Sequence, residues 1–144
     1  MEHSHTSSKA ASGYSGWLAL VGNPNVGKSV VFGALTGRYA TVSNYPGTTV
    51  EVSRGTLRSG AKKIGVIDSP GVNSLVPMSE DERVTRDILL NEEVVAVLQV
   101  MDSKNLRRSL LIAVQLVEMG LPLVLALNMS DEAGEKGITI DVDG

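Results

Sequence analysis

Apolar and polar positions follow a repeating order along this chain. From Trp17 the run WLALVG is short, apolar and closed by glycine, the pattern of a buried strand. Lys28 to Gly37 then carries Val31, Ala34 and Leu35 at helical spacing. Arg38 to Thr48 holds Ser43, Asn44, Pro46 and Gly47 and reads as an irregular loop, long enough to move. Val50 to Leu57 alternates, and after RSGAKK the run IGVID completes a predicted hairpin whose second strand ends on Asp68. The loop SPGVNSLVPMS leads into a helix from about Glu80 to Leu90, with Ser79 as N-cap and acidic residues in the first turn, where the helix dipole favours them. VVAVLQV is a buried strand. Leu106 to Met119 predicts a helix whose buried stripe is Leu106, Leu110, Ala113, Val114 and Val117, stopped by Gly120. LPLVLALN is a further strand. Apolar strands alternating with amphipathic helices specify an α/β fold, a mostly parallel sheet with helices on both faces. Ligands of such sheets sit at the carboxyl ends of the strands.

Composition narrows the chemistry. The 144 residues, 42% of them hydrophobic, describe a single domain over residues 17–144 behind a polar tail, residues 1–16, expected to be disordered. His3 and His5 in that tail are expected to be solvated rather than to hold a metal. Thirteen Lys and Arg against 16 Asp and Glu leave a net charge of −3, which disfavours nucleic acid or an anionic membrane surface as partner. Without cysteine, thiolate metal sites and cysteine nucleophiles are excluded. The apolar stretch Leu110 to Leu127 is broken by Gln115, Glu118, Gly120 and Pro122, short of the roughly 20 clean residues of a membrane span. The tail also lacks the apolar core of a signal peptide, so the sequence predicts a cytoplasmic domain that does not itself enter the membrane.

GNPNVGKS, Gly22 to Ser29, fits the P-loop spelling GxxxxGK[ST] and lies between a predicted strand and a predicted helix. Gly22 and Gly27 let the backbone fold into a nest of N–H groups facing phosphate oxygens, and the helix adds its positive end. The nucleotide contacts expected of this segment are Gly22, Asn23, Asn25, Val26, Gly27, Lys28, Ser29 and Val30. Lys28 supplies charge between the β- and γ-phosphates, and Ser29 offers a hydroxyl to magnesium. DSPG places Asp68 where it can hold magnesium through water, and lets the Gly71 N–H approach a γ-phosphate; alone, the four residues would be only a turn. NMSD, Asn128 to Asp131, reads the base. Asp131 can accept two hydrogen bonds from the guanine edge and Asn128 can brace the P-loop, although NxxD alone is also a common helix cap. In NYPGTTVE a threonine hydroxyl can complete the magnesium shell when a γ-phosphate draws the loop in, or Thr48 and Thr49 simply start a strand.

In this order GNPNVGKS, NYPGTTVE, DSPG and NMSD resemble the translation-factor-like class of small GTPases, and most closely the cytoplasmic G domain of bacterial ferrous-iron transporters of the FeoB type. The resemblance runs from about Leu18 to Val142 and includes ALTG, RVTRDILLNEE and DSKNLRRSLLIAVQLVEMG. It implies a Ras-like P-loop fold, GTP and GDP as ligands with magnesium, and a membrane transport domain as partner. It implies that Thr49 is the switch residue on magnesium, beside Ser29 and Asp68, and that Asn25 helps to bind a monovalent cation such as potassium. Lys28, Thr49 and Gly71 are then the residues acting on the transferred phosphate.

The chain departs from that family at Val30, Val31 and Gly33 on the first helix, at Ser69, and at Val72-Asn73 in place of Thr-Tyr. Val72 stands where Ras-like proteins keep a water-orienting glutamine, so hydrolysis is expected to be slow and to rely on metal, P-loop and main chain. Residues 132–144 are too few for the further helix, Ser-Ala strand and last helix that complete such a domain, so a truncated fold with a bare sheet edge is expected. Three readings stay open: a GTP-hydrolysing switch coupled to iron(II) transport, a guanine-nucleotide binding module that scarcely hydrolyses, and a ribosome- or tRNA-associated GTPase. Arg107 and Arg108 read as a solvated helix face.

Overall fold

Alternation along the first strand sets the layers. In β1 (Trp17–Gly22) Leu18 and Leu20 turn to one face of the sheet, and Ala19 and Val21 to the other. On the first face Leu20 and Val66 pack with Phe32, Val31 and Leu35 of α1 (Lys28–Thr36). On the second, a larger core of Ile67, Val84, Ile88, Val97, Ile112 and Leu116 lies beneath α2 (Glu80–Asn91) and α3 (Leu110–Glu118). Each such aliphatic side chain contributes on the order of 1.5–3 kcal/mol by leaving water. Helices therefore cover both faces, as the pattern of apolar runs predicts. The computed structural model describes residues 15–37 and 40–143; His3, His5 and most of the expected tail lie outside the described residues. The last two residues of that expected tail are tied to the sheet, by Ser15 N–H to the Lys63 carbonyl (3.1 Å) and by the Gly65 N–H to the Gly16 carbonyl (3.0 Å).

The six strands run in the order β2 (Ala40–Asn44), β3 (Glu51–Ser59), β4 (Lys62–Asp68), β1, β5 (Val94–Asp102), β6 (Leu123–Asn128). β1 is parallel to β4 and β5, and β6 is parallel to β5, while β3 is antiparallel to both β2 and β4. The register pairs Leu20 with Asp68, Gly22 with Val100 and Asp102 with Asn128, so the carboxyl ends of β4, β1, β5 and β6 line up. Strands adjoin β1 on both sides, which makes its end the switch point where α/β sheets bind ligands.

Two expectations are corrected. The segment Arg38 to Thr48 is not all irregular loop: Ala40–Asn44 is an edge strand paired with β3. It is exposed along its whole length, so no alternation betrays it; only β-branched Thr41 and Val42 favour a strand. The expected buried stripe of the segment Leu106 to Met119 is also wrong. Leu110, Val114 and Val117 are more than half exposed, and Ser109, Ile112 and Leu116 are buried instead. LLIAVQLVE is apolar nearly all round, and Leu106–Ser109 forms a 3-10 turn that shifts the phase of the helix after it. β6 is the last strand in the sheet order, and its Val124 and Leu125 are exposed. The expected capping box is present, with Ser79 and Glu82 bonding reciprocally, and Gly120 ends α3 at φ 74°. A short helix, α4 (Ser130–Glu135), follows β6. Among the described residues no helix is long and apolar enough to cross a membrane.

Candidate functional site

The turn between β1 and α1 is built to place N–H groups on one concave side. Asn25 (φ 64°) and Gly27 (φ 86°) are both left-handed, the alternation that turns backbone amides inward. The glycines here are also steric requirements. A Cβ on Gly27 would lie 2.1 Å from Asn128 Nδ2, one on Gly22 would lie 2.7 Å from the Val100 carbonyl, and one on Gly71 would lie 2.9 Å from Pro24 Cα. The P-loop, the DSPG turn and the NMSD loop therefore meet at van der Waals contact, closed around a cradle that side chains would fill.

Lys28, at the start of α1, reaches back across the loop. Its Nζ donates to Asp68 Oδ1 at 2.5 Å and to the Ser69 carbonyl at 2.6 Å, with both ionic side chains nearly buried. A charge-assisted bond in so dry a place holds the ammonium at the strand ends. The Ser69 hydroxyl donates to the Leu20 carbonyl at 2.5 Å, which locks the DSPG turn onto β1. Val72 N–H bonds the Gly22 carbonyl at 3.0 Å while its side chain is buried in the core, so this position has no polar group to aim at a water. Asn128 Nδ2 donates to the Val26 carbonyl at 2.9 Å, the brace that the NMSD reading expects. Asp131 is exposed in the first turn of α4; at the P-loop Asn25 and Val30 are exposed and Ser29 is exposed beside them.

Asn23 is fully buried, and its side chain turns away from the nest toward the loop after DSPG. Its Nδ2 donates to Asn73 Oδ1 (3.1 Å) and weakly to the Arg108 carbonyl (3.4 Å), so only its backbone is left to face phosphate. Arg108, exposed like Arg107 as the sequence reading expects, in turn donates to Asn73 Oδ1 at 3.3 Å. Lys104 carries no motif in the sequence. It bonds Glu132 and lies 3.3 Å from Met129 Sδ, pinning the tip of β5 to the NMSD loop; the bond to Glu132 holds its ammonium above the usual lysine range. No local pattern signals this contact, because the partners are far apart in sequence. Thr49 is the one predicted metal-binding residue that the structure bonds away from the P-loop. Its N–H donates to Glu80 Oε1 at 2.8 Å and its hydroxyl lies 3.4 Å from the same oxygen.

The residues fit a nucleotide with a divalent ion. Among the described residues no group of three His, Cys, Asp or Glu converges, so the protein's share of such a shell would be the Ser29 hydroxyl and the Asp68 carboxylate, completed by phosphate oxygens and water. A P-loop between parallel strand and helix, a DxxG turn on the neighbouring strand and an NxxD loop two strands away define a P-loop nucleotide-binding domain of the G-domain type. Residues 17–144 match the family described as Ferrous iron transport protein B, and the chain belongs to that family.

Similar proteins bear this out. The Fe(2+) transport protein A/Fe(2+) transporter FeoB fusion protein of Porphyromonas gingivalis is 48% identical over 125 residues, which are 86% of this chain and 15% of the relative. The cytosolic domain of L. pneumophila FeoB is 42% identical with a TM-score of 0.83, covering 88% of this chain and 54% of that one. A single-residue mutant of S. thermophilus NFeoB, solved bound to GDP, is 40% identical with a TM-score of 0.82, covering 89% of this chain and 50% of that one. The chain thus spans about half of these solved domains and a small part of the full-length relative.

Proposed function

We propose that this chain is a GTP-binding switch that hydrolyses GTP to GDP and phosphate, and that in a longer protein it couples its nucleotide state to iron(II) passage through a membrane domain, working from the cytoplasmic side. The observation that carries the reading is the Lys28–Asp68 bond, which gathers the P-loop ammonium, the neighbouring Ser29 hydroxyl and the DSPG carboxylate at one end of the sheet. In this reading Lys28 neutralises charge growing on the β- and γ-phosphates, and the Gly71 N–H donates to the γ-phosphate. Ser29 and Asp68, joined by Thr49, would hold a magnesium ion, which when bound supplies further charge compensation. Asn25, left-handed and exposed in the P-loop, is assigned the side-chain oxygen that binds a potassium ion.

Guanine is chosen by Asp131, with Asn128 fixing that loop to the P-loop. Asp131→Asn replaces one of the two acceptors offered to the ring edge by an N–H donor, so preference should move from GDP toward XDP by roughly a hundredfold, read by competition binding. The burial of Val72 favours slow hydrolysis, since no side chain at that position can orient water. Single-turnover phosphate release with magnesium, with and without potassium, tests the reaction. Release that depends on Lys28 supports a hydrolase, and GTP bound but intact after many hours makes the chain a binding module.

A further inference from the structure

The loop before β3 is a tight turn clipped to α2 at two levels. The Tyr45 N–H bonds the Val50 carbonyl (2.8 Å), the Thr48 N–H and hydroxyl both bond the Tyr45 carbonyl (2.9 and 2.8 Å), and Gly47 supplies the left-handed corner at φ 77°. Tyr45 is buried, and its hydroxyl donates to Asp87 of α2. Two turns earlier on the same face of that helix, Glu80 takes both donors of Thr49. Glu80 is the first residue of α2, fixed in place by the capping box beside it. Thr49 and Glu80 share a cavity of about 480 Å³ with Pro70 of the DSPG turn and with Glu51 and Asp81. The loop is thus held at the border of the phosphate site, on a wall that is acidic.

An amide N–H carries one hydrogen and can serve one strong acceptor. We infer that Glu80 is a positioning residue that holds Thr49 in reserve: its carboxylate occupies the amide N–H that a γ-phosphate would claim and keeps the hydroxyl turned toward α2, so a triphosphate must displace it whereas a diphosphate need not. This rests on the reading of Thr49 as the residue that joins the metal. Glu80 then sets the discrimination between GTP and GDP, and Tyr45, still bonded to Asp87, serves as the pivot on which the turn swings.

Calorimetry with magnesium separates this inference from its premise. Titrate the chain with GDP and with a non-hydrolysable GTP analogue, for wild type, Glu80→Gln, Glu80→Ala, Thr49→Ala and the Thr49→Ala/Glu80→Ala double variant, each confirmed folded by circular dichroism. Glu80→Ala should bind the analogue about tenfold more tightly, with GDP affinity unchanged within about twofold. Glu80→Gln should gain less, because a neutral acceptor keeps part of the bond. Analogue affinity that is unchanged or weaker in Glu80→Ala, or a gain shared equally by GDP, overturns the role of Glu80. Thr49→Ala should weaken the analogue alone and reduce the gain in the double variant, where only the backbone N–H is left to be freed. Analogue affinity untouched by Thr49→Ala sinks the premise, and a gain that is undiminished in the double variant sinks the inference.

Discussion

The phosphate cradle and the Thr49 loop both reach the carboxyl end of the sheet, but they are secured in different ways. The cradle is tied by short bonds among nearly buried groups: Lys28 to Asp68 and Ser69, Ser69 to Leu20, Asn128 to Val26. Its glycines Gly22, Gly27 and Gly71 leave no room for a side chain, so the neighbouring loops approach one another closely. The Thr49 loop is bonded within itself, but its tip is exposed and held by one carboxylate at the end of a helix. A site that binds the constant part of a nucleotide is served by the first construction. A sensor of the part that differs between GTP and GDP needs the second, because it must exchange one anion for another at low cost.

That contrast can be broken at its strong end first. Lys28→Ala removes the central ammonium and leaves Asp68 without its ionic partner, so GDP and GTP affinity should both fall by roughly a hundredfold or more, read by fluorescent-nucleotide titration. Thr49→Ala should spare GDP affinity while slowing phosphate release by about tenfold or more, read in single turnovers. Equal loss of GDP affinity in both variants would erase the distinction between cradle and sensor. The smallest effect is expected at the pivot. Tyr45→Phe deletes the bond to Asp87 and should cost about 1–2 kcal/mol in urea unfolding.

Burial, and then the bond to Asp87, push the Tyr45 phenol up, well above the ordinary tyrosine range. A raised value in the folded state means that its contribution is complete below about pH 10 and fades as pH climbs above that. The stability gap between wild type and Tyr45→Phe should therefore be constant through neutral pH and shrink only in strong alkali.

The parts of this molecule that were legible in its sequence are those whose chemistry demands local spelling. GNPNVGKS, DSPG and NMSD each name their residues within a few positions, and the strand ends that carry them show as apolar runs closed by Gly22, Asp68 and Asn128. What stayed hidden depends on partners far away in the chain. β2 is a strand because β3 offers it hydrogen bonds, not because its own side chains alternate. The buried face of α3 was ambiguous because apolar residues surround the helix, and packing rather than pattern chose Ile112 and Leu116. Lys104 and Glu80 gained their contacts from Glu132 and Thr49, 28 and 31 positions distant. Asn73, visible in the sequence only as a departure from the family, proved to be the acceptor that joins Asn23 to Arg108.

The central claim is that the loops gathered around Lys28 hold a guanine nucleotide by its phosphates and read its base. Isothermal titration of the folded chain with GDP and, separately, ADP in magnesium buffer tests it most directly. The account predicts saturating heat at equimolar GDP and none from ADP at the same concentrations. A folded chain that gives no heat with GDP, or the same heat with both, would contradict it.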